Sequence, residues 1–289
     1  MSPIDRRRVA QNFGRAAARY DQLSQLQREA REELLDRLTP LQLKPDRILD
    51  IGAGTGHGAR ELKRRFPRAE VVAIDLALPM LEQARRQQGW FRPFRRVVAD
   101  AAALPLADAS VDLIFSNLCV QWCPDLRQTF AEWGRVLRPG ALALFSSFGL
   151  DSLQQLRQSW AAVDAHPHLI DFLHIQQIGD AALKAGLSNP VLDRDLLQRR
   201  TPDALTLMRE LKQLGAGNAA SERARGLTGK RALAKMQAAY EQLREPGGLP
   251  VTWEIVYGQA HGSAPSTRSR EPRGTSVEQL RATLPSRKG

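Results

Sequence analysis

The sequence is poor in cysteine: only Cys119 and Cys123 occur among 289 residues. Two thiols cannot build a disulfide framework, and four positions apart without further ligands they make a poor zinc site. They read as reduced, partly buried thiols on either side of Trp122. Long apolar runs are missing too, and no stretch approaches the length of a transmembrane helix. The N-terminus, Met1 to Arg8, is basic, but no apolar segment follows it, so no signal peptide is visible. Acidic residues are in deficit, with 31 Asp and Glu against 42 Lys and Arg and a net charge of +11. The chain is long enough for one large or two small domains and a sizeable core. A cytoplasmic location is the expectation.

The excess charge is uneven. Residues 1–31 hold seven basic against three acidic residues, and residues 262–289 hold six against two. A basic surface favours acidic partners, such as nucleic acid, membrane or an acidic carrier protein, although it also serves plain solubility. The 262–289 segment is dominated by Ser, Pro, Arg and Thr and reads as a disordered basic tail.

The most informative stretch is 48–56, Ile-Leu-Asp-Ile-Gly-Ala-Gly-Thr-Gly. Ile48, Leu49 and Ile51 suit a buried strand. Gly52, Gly54 and Gly56 predict a tight turn that lets the backbone approach a ligand, because no Cβ intervenes. A helix over 57–65 would then offer its free N–H groups to that ligand. Gly54, Gly56 and Ala59 formally satisfy a dinucleotide fingerprint. Asp50 argues against it: a carboxylate at the end of the first strand repels a pyrophosphate. It favours the ammonium and sulfonium of S-adenosylmethionine. The loop resembles the cofactor loop of class I methyltransferases.

Leu23, Leu26, Leu34, Leu35 and Leu38 predict two amphipathic helices within 4–38, ended by Thr39-Pro40. Strands at 47–51, 70–75, 94–98, 111–116 and 141–147 then alternate with helices at 57–65, 79–88 and 125–137. Further helices at 151–163, 176–185, 203–213 and 230–243 interleave with strands at 190–199 and 250–261. This implies an α/β fold, a mostly parallel seven-stranded sheet with helices on both faces, and the resemblance of the loop makes it a Rossmann-like class I methyltransferase fold. The expected parts are an N-terminal helical lid (1–39), a methyltransferase domain (40–261) with helical insertions at about 151–186 and 202–246, and the tail.

In an open α/β sheet the ligand lies beyond the C-terminal ends of the strands. Asp50, Asp75, Asp100 and Asn117 all fall at or just past such ends. Asp75, with Leu76 after it, suits the ribose hydroxyls. Asp100, with Ala101, suits the adenine, and Asn117 sits where the methyl donor should be. Each alone reads equally as a helix cap or turn former, but four in register favour a ligand. His57 reads as a solvent-facing first-turn residue rather than a general base. His166 and His168 flank Pro167 without a third ligand beside them, so no metal site is expected. Trp90, Trp122, Trp133, Trp160 and Trp253 read as core or pocket walls.

More specific strings follow. Ser116 to Cys123 reads Ser-Asn-Leu-Cys-Val-Gln-Trp-Cys, and Ser147 to Leu153 reads Ser-Phe-Gly-Leu-Asp-Ser-Leu. Later come Ile178-Gly179-Asp180, Leu211 to Asn218, Gly226 to Gly229, and Glu254 to Ala260. Over residues 5–261 the chain resembles the malonyl-acyl-carrier-protein O-methyltransferase family of biotin synthesis. That resemblance implies methyl transfer from S-adenosylmethionine to the free carboxylate of a malonyl thioester on an acidic acyl-carrier protein. The product is the methyl ester that primes pimeloyl synthesis, and no general base is required. The resemblance also implies N-terminal helices folded over the cofactor. Phe13, Ala17, Tyr20 and Gln27 match that pattern, with Tyr20 and Gln27 at the cofactor and Tyr20 also near the substrate. Lys212, Arg223 and Arg225 are the expected cations for the substrate carboxylate. Two departures stand out: Ala141 replaces a glycine after Pro139-Gly140, and 168–172 lacks an Asn-Arg pair common after the histidine. The alternatives are a small-carboxylate or quinone-ring methyltransferase on the same core, and a nucleic-acid methyltransferase or binder suggested by charge alone. No RNA-binding module or Asn-Pro-Pro-Tyr-type signature supports the last.

Overall fold

The computed structural model describes residues 4–89, 93–223, 226 and 228–263. Its strands are β1 (Arg47–Ile51), β2 (Glu70–Asp75), β3 (Arg95–Val98), β4 (Val111–Ser116), β5 (Leu137–Phe148), β6 (Ser188–Thr201) and β7 (Leu249–His261). They form one seven-stranded sheet in the order β3-β2-β1-β4-β5-β7-β6. β1 to β5 pair in parallel, and β7 runs antiparallel between β5 and β6. Before the sheet come α1 (Arg6–Ala16), α2 (Tyr20–Leu23) and α3 (Gln25–Asp36). α4 (His57–Arg65), α5 (Leu78–Gln87) and α6 (Leu126–Val136) connect the parallel strands. α7 (Gln154–Ala161) and α8 (Ile175–Lys184) lie between β5 and β6, and α9 (Ala204–Gln213) and α10 (Lys230–Glu241) between β6 and β7.

The parallel strands are apolar on both faces because helices cover both. Side chains alternate along a strand, so β1 sends Ile48 and Asp50 one way and Leu49 and Ile51 the other. Ile48 joins Leu34 of α3 and Ala59 and Leu62 of α4. Leu49 and Ile51 join Phe130 and Trp133 of α6 and Ile178 of α8. Phe130, Trp133 and Phe145 pack ring to ring at 5.2–6.1 Å. Such pairs contribute about 0.5–1.5 kcal/mol each beyond their buried area. Asp5, Asp125 and Asp203 cap α1, α6 and α9 by accepting from the N–H of Arg8, Gln128 and Thr206 at 2.8–3.1 Å, about 1 kcal/mol apiece.

Three differences from the sequence reading have local causes. Residues 4–38 form three helices, not two. A turn closed by Arg19 N–H donating to Ala16 O (2.9 Å) ends α1, and Ser24 separates α2 from α3. β5 begins at Leu137, not 141, because Gly140 (φ 77°) donates to Gly262 O at 2.8 Å and carries the ladder through the Pro139-Gly140 pair. β6 extends to Ser188 through a bulge at Asn189 (φ 49°). Trp90 and residues 264–289 lie outside the described residues.

Because β6 and β7 are antiparallel, the 202–248 segment leaves and rejoins the sheet at the same end, beyond the C-termini of β1 to β5. There it meets α1. Asp5 N–H donates to Ala219 O (2.9 Å), Arg8 Nε to Asn218 O (3.1 Å) and Asn12 Nδ2 to Gly217 O (3.5 Å). Gly215 (φ 87°) fits so closely under α1 that a Cβ there would lie 3.0 Å from Phe13 Cα. No helix among the described residues is long and apolar enough to cross a membrane.

Candidate active site

The three glycines after β1 all have left-handed backbones (φ 72°, 54° and 82°), but they do different work. A Cβ on Gly52 would meet Cys119 Sγ at 2.6 Å, and one on Gly56 would meet Ala84 Cβ at 2.7 Å. At Gly54 the nearest atom is Tyr20 Cε1, 4.0 Å away. Gly54 therefore keeps the backbone open to a ligand. Gly56 seats α4 against α5 and does not line the cleft. The loop is anchored to β2: Gly52 and Ala53 donate to Ile74 O at 2.8 and 2.9 Å, and Gly54 donates to Asp75 Oδ2 at 2.9 Å. Asp75 Oδ1 accepts from Ala77 N–H at 2.8 Å, and burial holds this carboxyl above the usual range.

A cleft enclosing about 920 Å³, its open mouth included, runs over these strand ends. Gly52, Gly54, Asp75, Leu76, Asp100, Ala101, Asn117, Tyr20 and Gln27 all line it. Asp100 accepts from Ala102 N–H (2.9 Å) and pairs with Arg6 of α1. Asn117 donates to Gln27 O (2.9 Å) and accepts from Ser146 Oγ (2.9 Å), which ties β4 to α3 and β5. Phe13, Trp122, Phe148 and Leu214 form apolar walls. Both thiols line the cleft, and a hydrogen bond to Cys123 raises the Cys119 pKa. Burial raises the Tyr20 hydroxyl pKa well above its ordinary value, so Tyr20 stays neutral.

Behind the glycine loop the cleft adjoins a smaller cavity. Tyr20, Gln27, Gly52, Gly54 and Asn117 line both, while Arg31, Asp50 and His57 line only the second. Asp50 faces α3 and α4, as the strand alternation requires. The absence of a side chain at Gly58 makes room for it, since a Cβ there would lie 2.7 Å from Asp50 Oδ2. Burial pushes the Asp50 carboxyl up to about 7 and lowers the Arg31 pKa. Asp50 Oδ2, Gln27 Oε1 and Arg31 Nε are buried and have no hydrogen-bond partner. Each such group costs about 1–3 kcal/mol, so three around one cavity mark a polar ligand's place. Two acceptors and a guanidinium suit the ammonium and carboxylate of an α-amino acid. With Asp75 available to hydroxyls and Asp100 and Ala101 to a base, the residues fit S-adenosylmethionine. His57 is half-buried rather than fully solvent-facing. Its Nε2 lies 3.2 Å from Asp21 Oδ1, and burial lowers its pKa.

Of the cations expected at the substrate, neither of the two that are described, Lys212 and Arg223, lines the cleft. Lys212 is exposed on α9, whose apolar stripe Ala204, Leu207, Leu211 and Leu214 turns inward instead. Arg223 donates to Ala220 O at 3.1 Å and does not line the cleft. Arg225 lies outside the described residues. Among the described residues, Arg6 lines the cleft and Arg31 the cavity behind it. Arg31 follows Gln27 by four residues on α3, a spacing that puts both on one helix face and was a readable signal. His168 stacks on Trp160 at 3.7 Å and bonds Asp164 at 2.9 Å, a structural arrangement. Among the described residues no cluster of three His, Cys, Asp or Glu could hold a metal.

A family model described as a methyltransferase domain matches residues 49–145, the span from β1 to β5. The malonyl-acyl-carrier protein O-methyltransferase of Xylella fastidiosa (strain M23) is 45% identical over 270 residues, 93% of this chain and 92% of that protein. The protein of the same name from Gallionella capsiferriformans (strain ES-2) is 42% identical over 268 residues, 91% of this chain and 92% of its own. The chain belongs to the malonyl-acyl-carrier protein O-methyltransferase family. Because these matches span nine-tenths of each partner, the likeness to the malonyl-acyl-carrier protein O-methyltransferases extends beyond the parallel core to the N-terminal helices and the inserted segments. The fold is also that of the YcgJ protein of Bacillus subtilis, with a TM-score of 0.59 and 17% identity over 81% of this chain and 99% of that one.

Proposed function

We propose that the chain transfers a methyl group from S-adenosylmethionine to the free carboxylate of a malonyl thioester on acyl-carrier protein. The convergence of Asp50, Gln27 and Arg31, each with an unpartnered buried atom, on a cavity continuous with the cleft carries the cofactor half. The names and extent of the relatives carry the substrate half. S-adenosylmethionine supplies an electrophilic methyl group on a sulfonium and leaves as a neutral thioether. Asp50 and Gln27 would hold its ammonium and Arg31 its carboxylate. Asp75 and Leu76 would hold the ribose, and Asp100 and Ala101 the adenine. Tyr20 and Asn117 line both compartments and would flank the reacting centre.

No residue has to remove a proton, because a malonyl carboxylate is already ionised at neutral pH. The chain's task is alignment and dehydration. Phe13, Trp122, Phe148 and Leu214 exclude water from the carboxylate and so leave it more nucleophilic. The uncharged ester that results suits the same walls, and the masked end lets the chain be elongated like a fatty acyl primer. A reaction on carrier-bound thioesters fits a cytoplasmic location.

The test is transfer of a labelled methyl group from S-adenosylmethionine to malonyl-carrier protein, malonyl-coenzyme A and free malonate in parallel. Preferential labelling of the carrier-bound thioester is the expected result. Label on free malonate or a quinone-type ring alone would reject the reading.

A further inference from the structure

We propose that the outer face of α1 is the docking surface for the acidic carrier protein. The inference rests on the proposed reading that the substrate arrives on such a carrier. α1 contains Arg6, Arg7, Arg8 and Arg15 and no acidic residue. Three of these arginines crowd its first turn, the end where the helix dipole disfavours cations. A helix selected only for stability would carry acids there. The two faces of α1 differ. Arg6, Val9 and Phe13 line the cleft. Arg7, Gln11 and Arg15, at four-residue steps, are exposed on the other side, with Arg19 exposed just beyond.

Arg6 is paired with Asp100, and Arg8 donates to Asn218 O. Among the described residues, the side chains of Arg7, Arg15 and Arg19 have no hydrogen-bond or ion-pair partner. Uncompensated like charges repel one another and are relieved by an acidic partner. The bonds from Arg8 and Asn12 to 217–218 fix this face relative to the cleft mouth. An apolar point lies beside it. Gly14 packs on Pro79, and the neighbouring Leu78 is 54% exposed. The other strongly basic helix end, Lys63, Arg64 and Arg65 of α4, does not qualify. α4 starts at the glycine loop and runs back toward the opposite end of the sheet, and Lys63 and Arg64 are engaged with Ala69 O and Glu61. α1 joins a basic face with unpaired side chains to a wall of the cleft. A carrier seated there meets the mouth that its acyl arm must enter.

The test is the triple variant Arg7→Glu/Arg15→Glu/Arg19→Glu, assayed with malonyl-carrier protein and with malonyl-pantetheine, which lacks the protein. We expect KM for the carrier substrate to rise about tenfold or more and to lose most of its dependence on salt. Rates on malonyl-pantetheine and the affinity for S-adenosylmethionine should stay within about twofold of wild type, which also reports on folding. The milder Arg7→Gln/Arg15→Gln variant should show a smaller loss of the same kind. An unchanged KM for the carrier substrate, or equal losses on both substrates, overturns the docking surface. So does a face that loses only salt-sensitive retention of RNA. If the wild type fails to methylate malonyl-carrier protein at all, the functional reading falls and the surface with it, and the wild-type assay alone shows which has failed.

Discussion

Asp50 Oδ2 and Arg31 Nε line the same buried cavity, and neither has a hydrogen-bond partner. A buried polar atom left without a hydrogen-bond partner is costly. The folded chain therefore carries a penalty at this spot that a zwitterionic ligand would relieve. Stability given up for binding is expected at functional sites.

A pH effect follows from Asp50. Its folded pKa is about 7, raised by burial, against about 4 for an ordinary carboxylate. Between those values the folded chain holds a proton that the unfolded chain has lost. The contribution of this group to stability is thus most favourable at low pH, declines as pH rises toward 7, and is flat above it. Asp50→Asn should remove that decline and stabilise the ligand-free protein by about 1–3 kcal/mol near pH 8. Thermal unfolding of both proteins across this range checks it. A wild-type minus variant difference that does not change with pH would reject the assignment.

Binding should reverse the shift. An ammonium beside Asp50 favours the carboxylate, so S-adenosylmethionine binding near pH 6.5 should release up to about three-quarters of a proton. Calorimetry in two buffers of different ionisation enthalpy measures this directly. No buffer dependence would mean that Asp50 does not face the ammonium.

The glycines separate folding from binding. Gly54→Ala places its methyl toward the cleft, with Tyr20 Cε1 4.0 Å off. It should cost about 1 kcal/mol of stability for the positive φ and a much larger share of cofactor affinity. Gly56→Ala drives a methyl into Ala84 and Phe94, so its loss should be mainly in stability, about 1–3 kcal/mol. Melting temperatures and cofactor titrations on both variants test the contrast.

What was legible in the sequence is what is local. The glycine loop, the strand ends bearing Asp75, Asp100 and Asn117, and the alternation of strand and helix follow from short-range spacing, and the sheet order obeys them. The break between α1 and α2 was not legible, because Ala16-Ala17-Ala18-Arg19 is good helix sequence. The turn there delivers Tyr20 to the cleft, a tertiary requirement. The loop neighbourhood of Lys212 points to the substrate, although the apolar stripe of α9 already puts it about a third of a turn from the inward face. Arg31 carries one mark in the sequence, its four-residue spacing from Gln27, and that spacing gains meaning only once α3 packs beneath the glycine loop.

That contrast gives the last prediction. Arg31→Met keeps the length and the apolar stem but removes the guanidinium. Losing a charge-assisted contact to the methionine carboxylate should lower cofactor affinity by about 1.5–3 kcal/mol. Stability should stay level or rise, because a buried guanidinium nitrogen without a hydrogen-bond partner is gone. Lys212→Ala and Arg223→Ala should leave both cofactor affinity and turnover of malonyl-pantetheine within about twofold, since one side chain is exposed and the other caps a carbonyl. Calorimetry for the cofactor and steady-state rates for the small thioester decide the matter. Full cofactor affinity in Arg31→Met, together with a collapse of turnover in Lys212→Ala, would move the essential cation back to the inserted segment. It would also require α9 to rotate toward the cleft when substrate binds.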